Sequence, residues 1–283
     1  MAKKKKRKKS RPTKAERADR YAMYLESVQA PDVDAKFFNK IYRSNFKRGA
    51  KVLREDFCGT AAVCCEWVKR KKDRVAYGVD LDPEPLAWGT EHNLARLSDS
   101  ARERVHLIEG NVLDADVPKA DIVAAQNFSY CVFEQRALLR QYFERIHASI
   151  ADEGVFILDL FGGFESLEED REETTSYDGF DYIWHQVSYD PITAHGQYKI
   201  HFAFSDKSEI RDAFVYDWRL WTLPEVQEVL VEAGFDRADV YWEGTDKRTG
   251  DGNGIFKRAA HGDSDPAWNA YIVGVKGAAA DSK

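Results

Sequence analysis

Residues 51–61, KVLREDFCGTA, constrain this chain most, because a short apolar strand there breaks into a turn holding one glycine, Gly59, and two carboxylates, Glu55 and Asp56. A second strand, residues 75–79, follows and ends on Asp80. Strand, tight turn, helix, then a strand with a terminal acid is the order of a Rossmann-like βαβ unit, in which the acid accepts hydrogen bonds from the hydroxyls of a ribose. The pattern predicts a nucleoside-bearing cofactor.

Charge narrows the choice. A dinucleotide needs a glycine-rich turn so that backbone amides reach its pyrophosphate, whereas this turn has a single glycine preceded by two acids that repel a diphosphate. The same acids suit the ammonium and sulfonium of S-adenosylmethionine, since opposite charges attract appreciably in a partly dry crevice.

From residue 52 onward apolar strands alternate with amphipathic helices, which predicts an α/β fold: a Rossmann-like, doubly wound, mostly parallel sheet. Strands are expected at 51–55, 75–79, 105–109, 122–126 and 155–160, and a helix at 134–150. Three aromatic, period-2 segments at 181–190, 197–204 and 210–218 read as a three-stranded antiparallel insert, within about 178–220. A helix with the capping box Thr222–Glu225 follows, and strands at 239–243 and 270–275 flank a loop over 244–266 and form an antiparallel edge. Ahead of the first strand, helices at 13–29, stopped by Pro31, and 35–46 are expected to form a lid over its carboxyl end. The organisation expected is a basic tail over 1–12, a helical lid over 13–50 and one large domain over 51–283.

The net charge of −6 conceals a split: the first 20 residues carry eleven Lys and Arg against two acids, leaving 31 bases against 46 acids elsewhere. The run at 3–11 is expected to be disordered and offers a contact for RNA or another polyanion. No apolar segment is long enough for a membrane span, so a cytoplasmic protein with no membrane partner is expected. Cys58, Cys64, Cys65 and Cys131 lack ligand spacing, so no metal is predicted and all four read as reduced, buried thiols. Oligomeric state is not encoded in any legible way.

Taken together, EDFCGTA at 55–61, GVDLD at 78–82, EGNVLD at 109–114, AQNFSY at 125–130 and the capped helix ending AGF at 233–235 resemble class I S-adenosylmethionine-dependent methyltransferases over residues 51–283. The insert followed by DWRLWTLPE at 217–225 resembles more narrowly their small-molecule N-methyltransferase branch. The resemblance implies S-adenosyl-L-methionine as cofactor, S-adenosyl-L-homocysteine as product and a small-molecule acceptor methylated on nitrogen or oxygen. It maps the glycine-rich motif onto Glu55, Phe57 and Gly59, with Phe57 standing where the family has glycine. The ribose acid falls on Asp80 beside Leu81, the adenine contacts on Asn111 and Val112, and the methionine and acceptor contacts on Gln126 and Asn127.

Each assignment has a structural counterpart. Glu55 can cap the next helix, Asn111 can bond its own turn, and the insert's aromatics can serve packing alone. Asn127, Tyr130 and His185 are the candidate catalytic residues, with Tyr130 or a neutral histidine taking a proton late. Two rival functions remain: an RNA or ribonucleoprotein methyltransferase guided by the basic tail, which the acidic body disfavours, and a non-catalytic cofactor-binding scaffold.

Overall fold

The computed structural model describes residues 11–250 and 252–277. The basic run at 3–10 therefore lies outside the described residues.

Two N-terminal helices come first, α1 (Arg20–Ser27) and α2 (Pro31–Phe46). The first is shorter than its apolar pattern suggests, because the Asp19 carboxylate accepts the N–H groups of Tyr21 and Ala22 and starts the helix there. The second starts earlier: Pro31 is not a stop but the first residue of α2, where its missing N–H costs nothing.

The α/β body runs β1 (Val52–Asp56), α3 (Ala62–Lys69), β2 (Val75–Asp80), α4 (Pro83–His92), α5 (Asp99–Arg102), β3 (Val105–Glu109), β4 (Ala120–Ala125), α6 (Arg136–Ser149) and β5 (Ile150–Gly162). Asp82 caps α4 by accepting the Glu84 N–H, with Pro83 at the first helical position. Strands β1 to β5 pair in parallel in the order β5-β4-β1-β2-β3. The sheet is buried on both faces by two apolar clusters, one around Phe38, Leu53, Trp67 and Ile157, the other around Val123, Tyr142, Phe156 and Leu230.

An antiparallel sheet is inserted next: β6 (Arg171–Tyr177), β7 (Phe180–Asp190), β8 (His195–Ala203) and β9 (Glu209–Arg219), in sequential order. It has four strands rather than the expected three. The missed strand, REETTSY, is an edge strand with a largely exposed surface, so it carries no apolar alternation to announce it. Helix α7 (Leu223–Glu232), closed by the Thr222–Glu225 capping box, leads back to the main sheet through β10 (Arg237–Thr245), β11 (Gly252–Ala259) and β12 (Trp268–Lys276). These extend it antiparallel as β11-β10-β12-β5. Strand β11 lies within the stretch read as a loop, again as an exposed polar edge.

The N-terminal helices split the work of covering this body. Helix α2 runs along one face of the sheet: its Tyr42 hydroxyl donates to the Glu153 carbonyl beside Asp121 near the amino ends of β4 and β5, while Asp34 lies beside Tyr271 of β12. Helix α1 spans from α4, through Arg20–Glu84 and Asp19–Trp88 contacts, to the insert, where Met23 packs with Phe180 and Phe202. It is the lid. Among the described residues no helix is long and apolar enough to cross a membrane.

Candidate functional site

At the carboxyl ends of β1 and β2 the chain turns sharply, with Phe57, Gly59 and Ala61 all in the left-handed region. The Gly59 N–H donates to Asp80 Oδ2 at 2.7 Å, and the Asp82 N–H donates to Oδ1 at 2.9 Å. Both carboxylate oxygens are thereby fixed, and each keeps a lone pair for a further donor. No atom lies within 4 Å of where a Gly59 Cβ would stand, so the turn borders open space. Behind it Gly89 of α4 has to be a glycine, since a Cβ there would meet the Thr60 carbonyl oxygen at 2.3 Å. The Phe57 ring packs with Phe133 and Tyr142, both at 6.0 Å.

The adjacent acids Glu55 and Asp56 point to opposite faces of β1, as alternate strand residues must. Asp56 is structural. It accepts from Arg54 Nε at 2.6 Å and Nη2 at 3.1 Å, and from the Tyr142 hydroxyl at 2.8 Å, all within the core. The expectation that both acids serve a cationic ligand is therefore corrected: Asp56 already has its cation. Glu55 caps α3, accepting the Cys64 N–H at 3.1 Å, but faces no base. Burial pushes its carboxyl up to about 8, and the charges of Asp34 and Asp80 add to the shift.

Two further carboxylates surround it that sequence reasoning missed. Asp34, from α2, is pushed up to about 7 by burial and by Asp159, with Tyr271 Oη 3.5 Å away. Asp159, on β5, is pushed up to about 6 by burial, despite accepting the N–H groups of Asn127 at 2.8 Å and Phe128 at 2.9 Å. Asp80 is also raised by burial. Among the described residues none of these four carboxylates has an ion-pair partner, whereas Asp56 does. The signal for Asp159 was legible: like Asp80, it is an acid near the end of an apolar strand. Asp34 carried none, being one of three acidic or basic residues in an ordinary helix start, PDVDAK.

Beside this crevice opens a cavity of about 520 Å³, bounded by Asn127 and Phe128 after β4, Phe161 and Gly162 at the end of β5, and the inner face of the four-stranded sheet. Asn127 and Phe128 are both left-handed, a conformation that Asn adopts readily but that is uncommon for Phe, and Asp159 holds the pair in place through both their N–H groups. The sheet contributes Arg171, Glu173, Trp184, Gln186, Tyr216 and Trp218. Cross-strand register explains the selection: Arg171 faces Gln186 and Glu173 faces Trp184, so these residues share one face.

The same parity removes His185 from the cavity. It lies on the outer face, 3.3 Å from His201 across β7 and β8 and within 4.8 Å of Glu172. The Asp212 N–H donates to His201 Nδ1 at 2.8 Å, which leaves the proton of the neutral ring on Nε2, facing His185. The two rings share a hydrogen bond, and this tautomer leaves His201 Nε2 without the free lone pair a metal ion requires.

The remaining predicted residues fall as follows. Tyr130 is wholly buried beside Phe143, outside the cavity lining, and burial holds its phenol proton firmly. Gln126 is buried, its amide donating to the Ile157 carbonyl at 3.3 Å. Asn111 is exposed and accepts the Leu113 N–H at 3.0 Å, the local turn bond open to any Asn there. The Val112 carbonyl accepts from Arg54, and Leu81 is exposed beside Asp80. The structure thus gathers Glu55, Gly59 and Asp80 in the crevice and Asn127 at its junction with the cavity.

No protein-family model matches the chain, and no curated protein matches it by sequence. Many solved structures match it in three dimensions. An S-adenosylmethionine-dependent methyltransferase from Clostridium acetobutylicum superposes with a TM-score of 0.64 at 14% identity, covering 91% of this chain and 98% of the other. A sugar N-methyltransferase from Streptoalloteichus gives 0.61 at 15% identity, with 98% of each chain covered. An amino pentose methyltransferase from Micromonospora echinaspora, solved with S-adenosylmethionine bound, gives 0.61 at 17% identity over 90% of this chain and 96% of the other. The chain has the fold of these methyltransferases.

Proposed function

We propose that this protein is a class I S-adenosylmethionine-dependent methyltransferase that transfers a methyl group to a nitrogen or oxygen of a small-molecule acceptor. One observation carries the reading: Asp34, Glu55, Asp80 and Asp159 converge at the carboxyl end of a parallel sheet without a protein cation among the described residues. Buried carboxylates left unpaired are costly, and a ligand carrying positive charge and a ribose offsets that cost. The fold supports it, since neighbours with the same architecture are methyltransferases, including the one solved with the cofactor bound.

When bound, the cofactor supplies a methyl group already activated by a cationic sulfur. What remains for the chain is placement. Asp80, held by the Gly59 and Asp82 N–H groups, receives the ribose hydroxyls. Glu55, Asp34 and Asp159 balance the positive charge, while Asp159 also fixes the Asn127–Phe128 turn that separates crevice from cavity. Helix α1 covers the opening and excludes water. Holding both reactants in line lowers the barrier by ~7–11 kcal/mol, enough to make positioning the main catalytic device.

Calorimetry with S-adenosylmethionine and S-adenosylhomocysteine tests this. Both bind the wild-type protein, and Asp80→Ala weakens each by about 10- to 100-fold, the loss of a hydrogen bond or two to a charged acceptor. No binding by wild type, or undiminished binding by the variant, refutes the reading.

A further inference from the structure

We infer that the cavity beside Asn127 selects an acceptor that arrives as a cationic amine on an apolar frame, with Glu165 and Glu173, tethered through Arg171, recognising the charge. The inference rests on the methyl-transfer reading above and names the acceptor class for that same site. Among the described residues four carboxylates line the cavity, Glu165, Glu173, Glu243 and Asp265, against a single base, Arg171. That base is saturated: its guanidinium holds Glu165 at 2.6 Å, Glu168 at 2.8 Å and Glu173 at 2.5 Å. Three carboxylates on one guanidinium leave the cluster negative, and among the described residues no other lining cation remains to receive a phosphate or carboxylate.

The same sheet face carries aromatic rings beside these acids, with Trp184 directly across the strands from Glu173. Trp184 stacks on Tyr198 at 5.4 Å, Tyr216 stacks on Trp218 at 4.4 Å, and Phe128 and Phe161 close the end nearest the crevice. Aromatic faces attract cations and bury apolar rings, so carboxylates and π-faces side by side favour an ammonium attached to a hydrophobic body. A neutral hydroxyl acceptor on the same frame gains the ring packing but none of the charge attraction. The chemistry closes on this assignment: the ammonium gives one proton to a cavity carboxylate, and its freed lone pair forms the new N–C bond. The S–C electron pair stays on sulfur.

The test loads the full-length protein with S-adenosylhomocysteine and measures binding of three probes of matched size: phenethylamine, phenethyl alcohol and 3-phenylpropionate. The amine binds at least tenfold more tightly than the alcohol, and the propionate binds more weakly than either. Glu165→Gln and Glu173→Gln each weaken the amine three- to tenfold without changing affinity for S-adenosylhomocysteine, and Glu173→Asp, which keeps the charge, recovers part of the loss. No binding of the amine, equal binding of the alcohol or propionate, or wild-type amine affinity in both Gln variants overturns the inference. Failure of S-adenosylhomocysteine to bind wild type strikes the methyl-transfer reading alone, and the three-probe comparison on the unloaded protein still decides the charge preference.

Discussion

In the crevice, recognition groups are held by neighbouring backbone: Asp80 by the N–H groups of Gly59 and Asp82, and Glu55 by the N–H of Cys64. In the cavity, the groups stand on one face of four strands spread over residues 171–219 and meet only through cross-strand register. Asp80 and Glu55 close local strand–turn segments that the sequence announces, although Asp34 and Asp159 join them only in the fold. The cavity exists only once the sheet has formed, and the difference teaches that a crevice at the strand ends and a cavity on an inserted sheet have different sequence signatures.

The sharpest way to break this comparison is to exchange the roles of the neighbours on β1. Asp56→Ala strands Arg54, 1% exposed, without its partner, and is expected to cost about 3–5 kcal/mol in denaturant unfolding. Glu55→Gln, one residue away, keeps an oxygen for the Cys64 N–H and is expected to change stability by under about 1 kcal/mol while weakening cofactor binding, since on the proposed reading its charge serves the ligand. Equal destabilisation by both would erase the distinction between core and crevice.

A second prediction concerns pH. Asp34, Glu55 and Asp159 are raised to about 7, 8 and 6, so the folded protein holds protons that the unfolded chain releases near pH 4. Their contribution to stability is complete below about pH 4 and is lost as pH rises through 6 to 8. A cationic ligand restores it by pairing with the ionised groups. The rise in melting temperature produced by S-adenosylmethionine should therefore be larger at pH 8 than at pH 5.5, read by differential scanning fluorimetry. A flat or reversed trend removes these carboxylates from cofactor recognition.

The smallest effect is expected at His185. Standing on the outer face with His201, it should tolerate His185→Ala with cofactor affinity and turnover within about twofold of wild type, the range of a surface change. A large loss of turnover would mean that the outer face reaches the reaction.

What was legible follows the same division. The βαβ unit, Asp82 and Pro83 starting α4, and the Thr222–Glu225 box are local signals, and the structure carries them all. Strands β6 and β11 were not legible because edge strands facing solvent need no apolar alternation. His185 looked like a candidate by residue type, and only its register against His201 and Glu172 reveals which face it occupies. Asp34 has no local signal at all, since its neighbours Asp159 and Tyr271 lie far along the chain.

The four-stranded sheet has one more consequence. Its ladder is held by main-chain pairing, which is indifferent to the side chains projecting inward. Exposed inward positions such as Glu173 can thus change without breaking the ladder, and on the methyl-transfer reading proposed above a few such exchanges retune the acceptor repertoire while the crevice around Asp80 stays untouched.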